Sequence, residues 1–407
     1  MPDGTNLGGV SSNLVSTLNQ DLGPNWVQSL QDAFAQWENS ANVNVVQVSD
    51  NGAPFNSGNY QQNSPSFGDI RIGGFVQDSS VLAFTMLPPP NNGGSDAGDI
   101  FFNTAQAWHI NSDFDFETVA VHEIGHAVAG LGESSDPRAA EYEYYNGIKQ
   151  GLAQDDVNGI QALWGPRQED PIEQATHNLT AANAATCNYV INSVNQVVLP
   201  GLNVASSSDV YWFKVTTPAN ASNVFTAQVQ STNLSELSPR VAIYNANLQG
   251  LVQVSASTTA YGATIAATIT NVTPNTTYYI KVLPSTVGAN GTGAYDLTLN
   301  MGTQPIAMLA PPDTTVYAQP DQGGYGIFEK TAQAILPAHP TAVTVQPGVD
   351  ESNLLEGTGF LVPLIPHPVD HVAMPVQNGV IHPVNVGWTI RQKPPIAQAK
   401  IEGTNQE

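Results

Sequence analysis

His122-Glu123-Ile124-Gly125-His126 are the five positions of this sequence best suited to chemistry. Two histidines four residues apart lie on one face of a helix, where both imidazoles can reach a single metal ion. Imidazole nitrogen is a common zinc ligand. A glutamate beside the first histidine is placed to take a proton from a water that the metal polarises. The pattern arises by chance often enough that its surroundings must decide its meaning, since a histidine pair could equally be an ordinary surface or core feature.

Those surroundings supply a helix for the motif, capped by Asp115 and ended by Gly130. Upstream, residues 24–39 read as a first helix: Pro24 suits its first turn, and Trp26, Leu30, Phe34 and Trp37 share one face. Residues 43–49 alternate as a strand, 69–74 make a second, and 81–87 a third that Pro88-Pro89-Pro90 stops. A closing helix over 154–163 has Asp155 and Asp156 at its start and Gly165 after its end. These elements predict an α+β unit over residues 1–166.

Residues 167–185 are polar and irregular and read as a linker. From 186 to 302 the pattern changes to short alternating strands (197–199, 209–216, 241–244, 277–282 and 294–299) separated by Asn, Gly, Pro and Ser, which predicts an all-β sandwich. The tail, 303–407, is proline-rich and predicted to be extended or weakly structured; the last 103 residues hold 14 of the 29 prolines. His367 and His371 repeat the spacing of four there, but Pro366 and Pro368 argue against a regular helix.

Composition narrows the class. Only 11 Lys+Arg stand against 34 Asp+Glu, a formal charge of -23, which argues against a nucleic-acid partner. That balance suits a protein dispersed by self-repulsion, outside the cell or on its surface. The single cysteine, Cys187, excludes an internal disulfide. There is no apolar run of about 18 residues to make a transmembrane segment, and no basic-then-apolar leader at the start. Nothing indicates an oligomeric state.

The stretch H-E-I-G-H-A-V-A-G-L-G-E-S (122–134), the Ser135-Asp136-Pro137 that follows, and Q-D-D-V-N-G-I-Q-A-L-W-G (154–165) carry a family likeness. With the weaker Ala33-Phe34-Ala35-Gln36-Trp37, they make residues 1–166 resemble the catalytic domain of the matrixins, the matrix-metalloprotease branch of the metzincin zinc endopeptidases. The resemblance implies a metzincin-like fold, a Zn2+ cofactor and a protein or peptide substrate. It implies His122 and His126 as zinc ligands and Glu123 as the general base. Where matrixins place a third histidine this chain has Glu133, expected as the third ligand, with Asp136 in reserve. The glycine turn is one residue longer, since Gly130 falls four places after His126. Glu141 stands where matrixins have a methionine beneath the metal, and Glu143 where proline is usual. Phe84 and Phe101 stand where histidines would hold a second, structural zinc, so aromatic packing is expected there instead.

The same likeness aligns Val81, Leu82 and Ala83 with the strand that binds substrate. It leaves Tyr142, Tyr144 and Tyr145 either lining the substrate pocket or packing into the core. Ser208 to Val215 and Gly293 to Leu297 resemble the bacterial pre-peptidase C-terminal domain, a β-sandwich attached to secreted peptidases. The strand that in matrixins precedes the segment resembling Met1 to Gly9 is lacking, which predicts an upstream portion with an export signal. The expectation is therefore an exported zinc endopeptidase acting on extracellular or surface proteins. Its activity should be lowered by the acids Glu123, Glu133, Glu141 and Glu143. The alternative is a matrixin fold that has lost catalysis and serves as a surface binding or adhesion module.

Overall fold

Two units divide the chain in the computed structural model: Met1–Arg167 with Gln377–Glu407, and Gln168–Val376. Residues 1–58, 64, 67–149, 151–286 and 288–310 are described, with four strands beyond them: Thr314–Gln319, Gly324–Glu329, Val372–Met374 and Gly387–Ile390. The rest of the proline-rich tail, with His367 and His371, lies outside the described residues.

In the first unit, helices α1 (Leu14–Leu22), α2 (Asn25–Ser40), α3 (Phe116–Ala129) and α4 (Gln154–Trp164) accompany strands β1 (Val45–Val48), β2 (Ile70–Phe75), β3 (Ala83–Thr85) and β4 (Ile100–Asn103). The sheet order is β1, Gly387–Ile390, β2, β4, β3, with β2 and β4 parallel and β3 antiparallel at the edge. Local chemistry sets the bounds of α3. The Asp115 carboxylate accepts from the Thr118 N–H at 2.8 Å and its hydroxyl at 2.7 Å. At the other end Gly130 turns to φ 60°, a left-handed backbone that suits glycine, and its N–H reaches the His126 carbonyl at 2.9 Å. The apolar face of α2 packs on α3, with Trp37 fully buried and its Nε1 donating to the Val121 carbonyl at 2.8 Å. Trp164 of α4 donates to the Val128 carbonyl at 3.2 Å. The motif helix is thus held from two sides.

Three expectations need correction. The strand foreseen over 81–87 shrinks to Ala83–Thr85, because the Asn103 side chain donates to the carbonyls of Asp78 (2.9 Å) and Val81 (2.7 Å) and holds that segment as a loop. Helix α1 was not foreseen; the Asn13 side chain before it does not cap the helix and instead accepts from the Thr104 hydroxyl at 2.8 Å. Nor is 167–185 a mere linker. Asp170 accepts from Ile172 N and Glu173 N, Pro171 opens helix α5 (Pro171–Thr176), and Ile172 is buried in the second unit's core.

Phe84 and Phe101 do meet, as expected of them. Their rings stack with centroids 5.2 Å apart, and Phe55 and Phe75 lie 5.3 and 6.2 Å from Phe101.

The second unit builds β5 (Ala185–Thr186), β6 (Gln196–Val204), β7 (Tyr211–Thr216), β8 (Val224–Gln230), β9 (Pro239–Asn245), β10 (Gly250–Ser255), β11 (Thr264–Thr270), β12 (Thr277–Pro284) and β13 (Gly293–Asn300). They form two sheets, in the orders β10-β9-β12-β7-β5 and β11-β8-β13-β6. Alternate residues of both sheets fill one apolar cluster, among them Phe213, Ile243 and Ile280 from one and Phe225, Val229 and Leu297 from the other. Cys187 is buried in it, which pushes its thiol up to about 12 and leaves it unreactive at neutral pH.

Removing a ring from the four-phenylalanine cluster should leave a cavity. Phe101→Ala is expected to lower unfolding free energy by about 3–5 kcal/mol, read in urea melts. A second expectation concerns Glu117 on α3. Burial, then the charges of Asp32 and Asp115, push its carboxyl from 4.5 up to about 7. Between those values the folded chain holds a proton that the unfolded chain releases, so this group's effect on stability worsens as pH rises. Glu117→Gln should therefore gain on the parent protein from pH 5 to pH 8, as parallel thermal melts would record.

Candidate metal centre

Both motif histidines are fixed by carbonyls. His122 Nδ1 lies 2.8 Å from the Ala140 oxygen, and His126 Nδ1 lies 2.7 Å from the Leu131 oxygen. A carbonyl can only accept, so each Nδ1 carries its proton and each Nε2 turns a lone pair outward. Those two Nε2 atoms stand 3.1 Å apart. Facing lone pairs repel at that distance, and a cation shared between them turns the repulsion into binding. Burial, then the neighbouring His126, lower the His122 pKa to about 4, so its ring is neutral at physiological pH and ready to ligate.

Glu133 arrives from the loop after Gly130. Its Oε1 lies 3.4 Å from His126 Nε2 and its Oε2 3.8 Å from His122 Nε2. The ligand atoms of the three side chains fall within 4.8 Å of one another. That spread suits one zinc with bonds of about 2.0–2.2 Å, and a nitrogen, nitrogen, oxygen donor set is one zinc accepts. The donors present therefore fit the ion.

Glu123 is almost fully buried, which pushes its carboxyl up to about 8 against the lowering effect of a Thr85 hydrogen bond. The Thr85 hydroxyl lies 2.6 Å from Glu123 Oε2. Sequence reasoning gave Thr85 no role; the two residues are far apart in the chain, and only the docking of β3 beside α3 joins them. Along β3 the bonds of Asn103 N to Leu82 O and of Met86 N to Asp99 O fix the parity. Leu82, Phe84 and Met86 turn their backbone groups to β4, so those of Ala83 and Thr85 face the free edge. Of the three residues assigned to substrate, Ala83 has its backbone on that edge, whereas the Val81 carbonyl is taken by Asn103 and the Leu82 carbonyl by Asn103 N–H.

Glu141 points inward. Its Oε2 lies 3.0 Å from His126 Nδ1, whose proton already serves Leu131, and neither carboxylate oxygen has a hydrogen-bond donor. Burial, then repulsion from Asp156, Glu123 and Glu133, raise its pKa well above the ordinary value. It fits only because residue 125 is glycine: a methyl group there would run into Glu141 Oε1 and the Trp37 ring. Asp156 on α4 holds the same segment from behind, accepting from Ala140 N at 2.8 Å and Glu141 N at 3.1 Å. Asp156 was legible only as an acid at a helix start; its grip on the site was missed.

Asp136, the reserve ligand, is turned to Arg138, with Nη2 at 2.7 Å. Among the tyrosines, Tyr144 is exposed, Tyr142 is half-buried against it with ring centroids 5.9 Å apart, and Tyr145 packs on the core with its hydroxyl accepting from Asp115 N.

Residues 13–165 match the family model Matrixin. Karilysin of Tannerella forsythia is 34% identical over 143 residues, covering 34% of this chain and 28% of that protein. Interstitial collagenase of Equus caballus is 35% identical over 153 residues, 36% of this chain and 29% of the relative. The chain thus spans less than a third of the length of these relatives. Among solved structures, the surface-associated copper-binding protein CorA of Methylomicrobium album BG8 aligns over 29% of this chain and 98% of that one, at 10% identity and a TM-score of 0.18, too low to carry an argument.

Because Asp156 orients Ala140, and Ala140 orients His122, Asp156→Ala should weaken zinc binding about 10–100-fold in competition with a chromophoric chelator. Wild-type affinity in a folded variant would refute that linkage.

Proposed function

Starting from a matrixin domain at residues 13–165, we propose that this chain is a zinc-dependent endopeptidase cleaving peptide bonds in extracellular or surface proteins. The observation that carries the reading is the pair of Nε2 lone pairs 3.1 Å apart beside a buried Glu123. His122, His126 and Glu133 would hold the ion. Zinc would supply Lewis acidity toward the scissile carbonyl and the attacking water. With a divalent cation beside it favouring the ionised form, the Glu123 carboxylate would accept the proton of that water and pass it to the leaving amine. The Thr85 hydroxyl keeps the carboxylate in one orientation. A substrate in extended form pairs with the outward backbone groups of Ala83 and Thr85, adding a strand to the sheet. Leu82 supports that edge, and Tyr142 and Tyr144 stand on the loop below the metal ligands as pocket walls.

Reduced activity belongs to the same reading, because Glu133 and Glu141 bring negative charge to an ion whose positive charge does the work. The rival reading, an impaired matrixin fold serving as an adhesion module, draws on that same unpartnered Glu141. Retention of Glu123 favours catalysis. The second unit is read as a β-sandwich of the bacterial pre-peptidase C-terminal kind whose strands fall within 186–302 and onto which α5 packs, after a peptidase domain over 1–166, with a secreted or surface-bound location. Among the described residues, no helix is long and apolar enough to cross a membrane.

Elemental analysis of purified chain, with cleavage of a quenched peptide library, tests the proposal. One zinc per chain is expected, with turnover lowered about 10²–10⁴-fold in Glu123→Gln while zinc is kept. Glu133→Ala should lose both zinc and cleavage. Unchanged zinc affinity and cleavage in that variant would remove Glu133 from the ligand set. A folded protein that takes no zinc from excess would turn the reading to the adhesion module.

A further inference from the structure

From Val210 to Tyr295 the chain carries one acid, Glu236, against Lys214, Arg240 and Lys281. The full sequence has 34 acids to 11 basic residues, so this stretch reverses the sign of its surroundings. Glu236 is 2% exposed, which leaves half-buried Lys214 and Lys281, with Arg240, whose Nη2 donates to the Ser285 carbonyl at 3.1 Å, as the cations of this stretch.

Topology gathers those cations on one surface. Trp212 and Lys214 lie on β7, Tyr279 and Lys281 on β12, and Arg240 and Tyr244 on β9. Lys281 is registered with Trp212, and Tyr279 with both Lys214 and Tyr244. Their neighbours Phe213, Ile280 and Ile243 point into the core, so the period of two sends all six to the outer face. There the Trp212 and Tyr244 rings lie 5.2 Å apart, and Lys281 Nζ sits 5.6 Å from the Trp212 ring. The outer side of the other sheet is different in kind: Thr226 pairs hydroxyls with Thr268 at 2.9 Å, beside Gln228 and Ala266. Cross-strand aromatic packing contributes to sheet stability, yet it does not call for cations on the same face and on no other.

We propose that this face of the five-stranded sheet binds an acidic polysaccharide. Flat rings offer an apolar surface to the C–H faces of sugar rings, and the interleaved cations pair with carboxylates along the polymer. The net negative charge of the chain repels a polyanion in general, so a face whose charges are cations favours one orientation of approach. A peptide adding as a strand needs a free edge, whereas β7, β9 and β12 are internal, paired on both sides. A nucleic acid, with phosphates packed far more densely than uronates, needs more neutralising contacts than three cations provide.

The test is retardation of the full chain in native gels cast with polygalacturonate, alongside neutral dextran and a single-stranded oligonucleotide. Polygalacturonate should retard the chain, dextran should not, and added salt should abolish the effect. Lys214→Gln/Lys281→Gln, whose side chains leave the core untouched, should weaken retardation about tenfold. Tyr244→Ser, which also gives up ring packing and so lowers the thermal melt, should weaken it at low salt at a temperature where the variant is still folded. Absence of retardation, equal retardation of the lysine variant, equal retardation by dextran, or a preference for the oligonucleotide would each overturn the proposal.

Discussion

The hold of two backbone carbonyls on two imidazole N–H groups is the constraint on which the site depends. Ala140 and Leu131 set the tautomer of His122 and His126, and so decide that both remaining nitrogens face one point. To do so, the segment after Gly130 must fold back over α3. Ser134 N bonds the Glu141 carbonyl at 2.7 Å, closing that return, and Asp156 clamps its far side. α4 in turn is fixed to α3 through Trp164. The ligand geometry is therefore the last link of a chain of hydrogen bonds that starts in a neighbouring helix.

Around that point the balance of charge is unusual. Glu123 and Glu141 are buried, Glu133 is near, and the carboxyl pKa of each is raised, with burial as the largest cause. Buried carboxylates favour protonation or a cation. The same crowd that favours capture of a divalent ion also spends part of its field. Glycine at position 125 makes the arrangement sterically feasible, since it is the one side chain that leaves room for both Trp37 and Glu141.

What the sequence made legible was the local chemistry. Asp115 bounds α3 through its carboxylate and Gly130 through its left-handed backbone, and the apolar spacing of α2 matched its buried face. The cap and proline of α5 were equally visible at Asp170 and Pro171 but were outweighed by the polar composition around them. What stayed hidden was tertiary. Whether Glu141 turns in or out depends on Trp37, Gly125 and His126 together. The partners of Thr85 and Asp156 lie 38 and 16 residues away in sequence, and no periodicity marks them. The length of β3 was misread for a related reason: Asn103, on the neighbouring strand, converts residues that look extended into a loop.

On the edge strand the half-open Phe84 ring stacks on buried Phe101, which packs in turn with Phe55 and Phe75, so apolar contact and not coordination holds the strand at this point. Apolar contact needs no dissolved ion, releases no protons when it forms, and weakens on cooling. The packing of Phe84 on the sheet thus follows temperature and draws on no divalent ion at these rings. In a metal-starved medium it keeps its place.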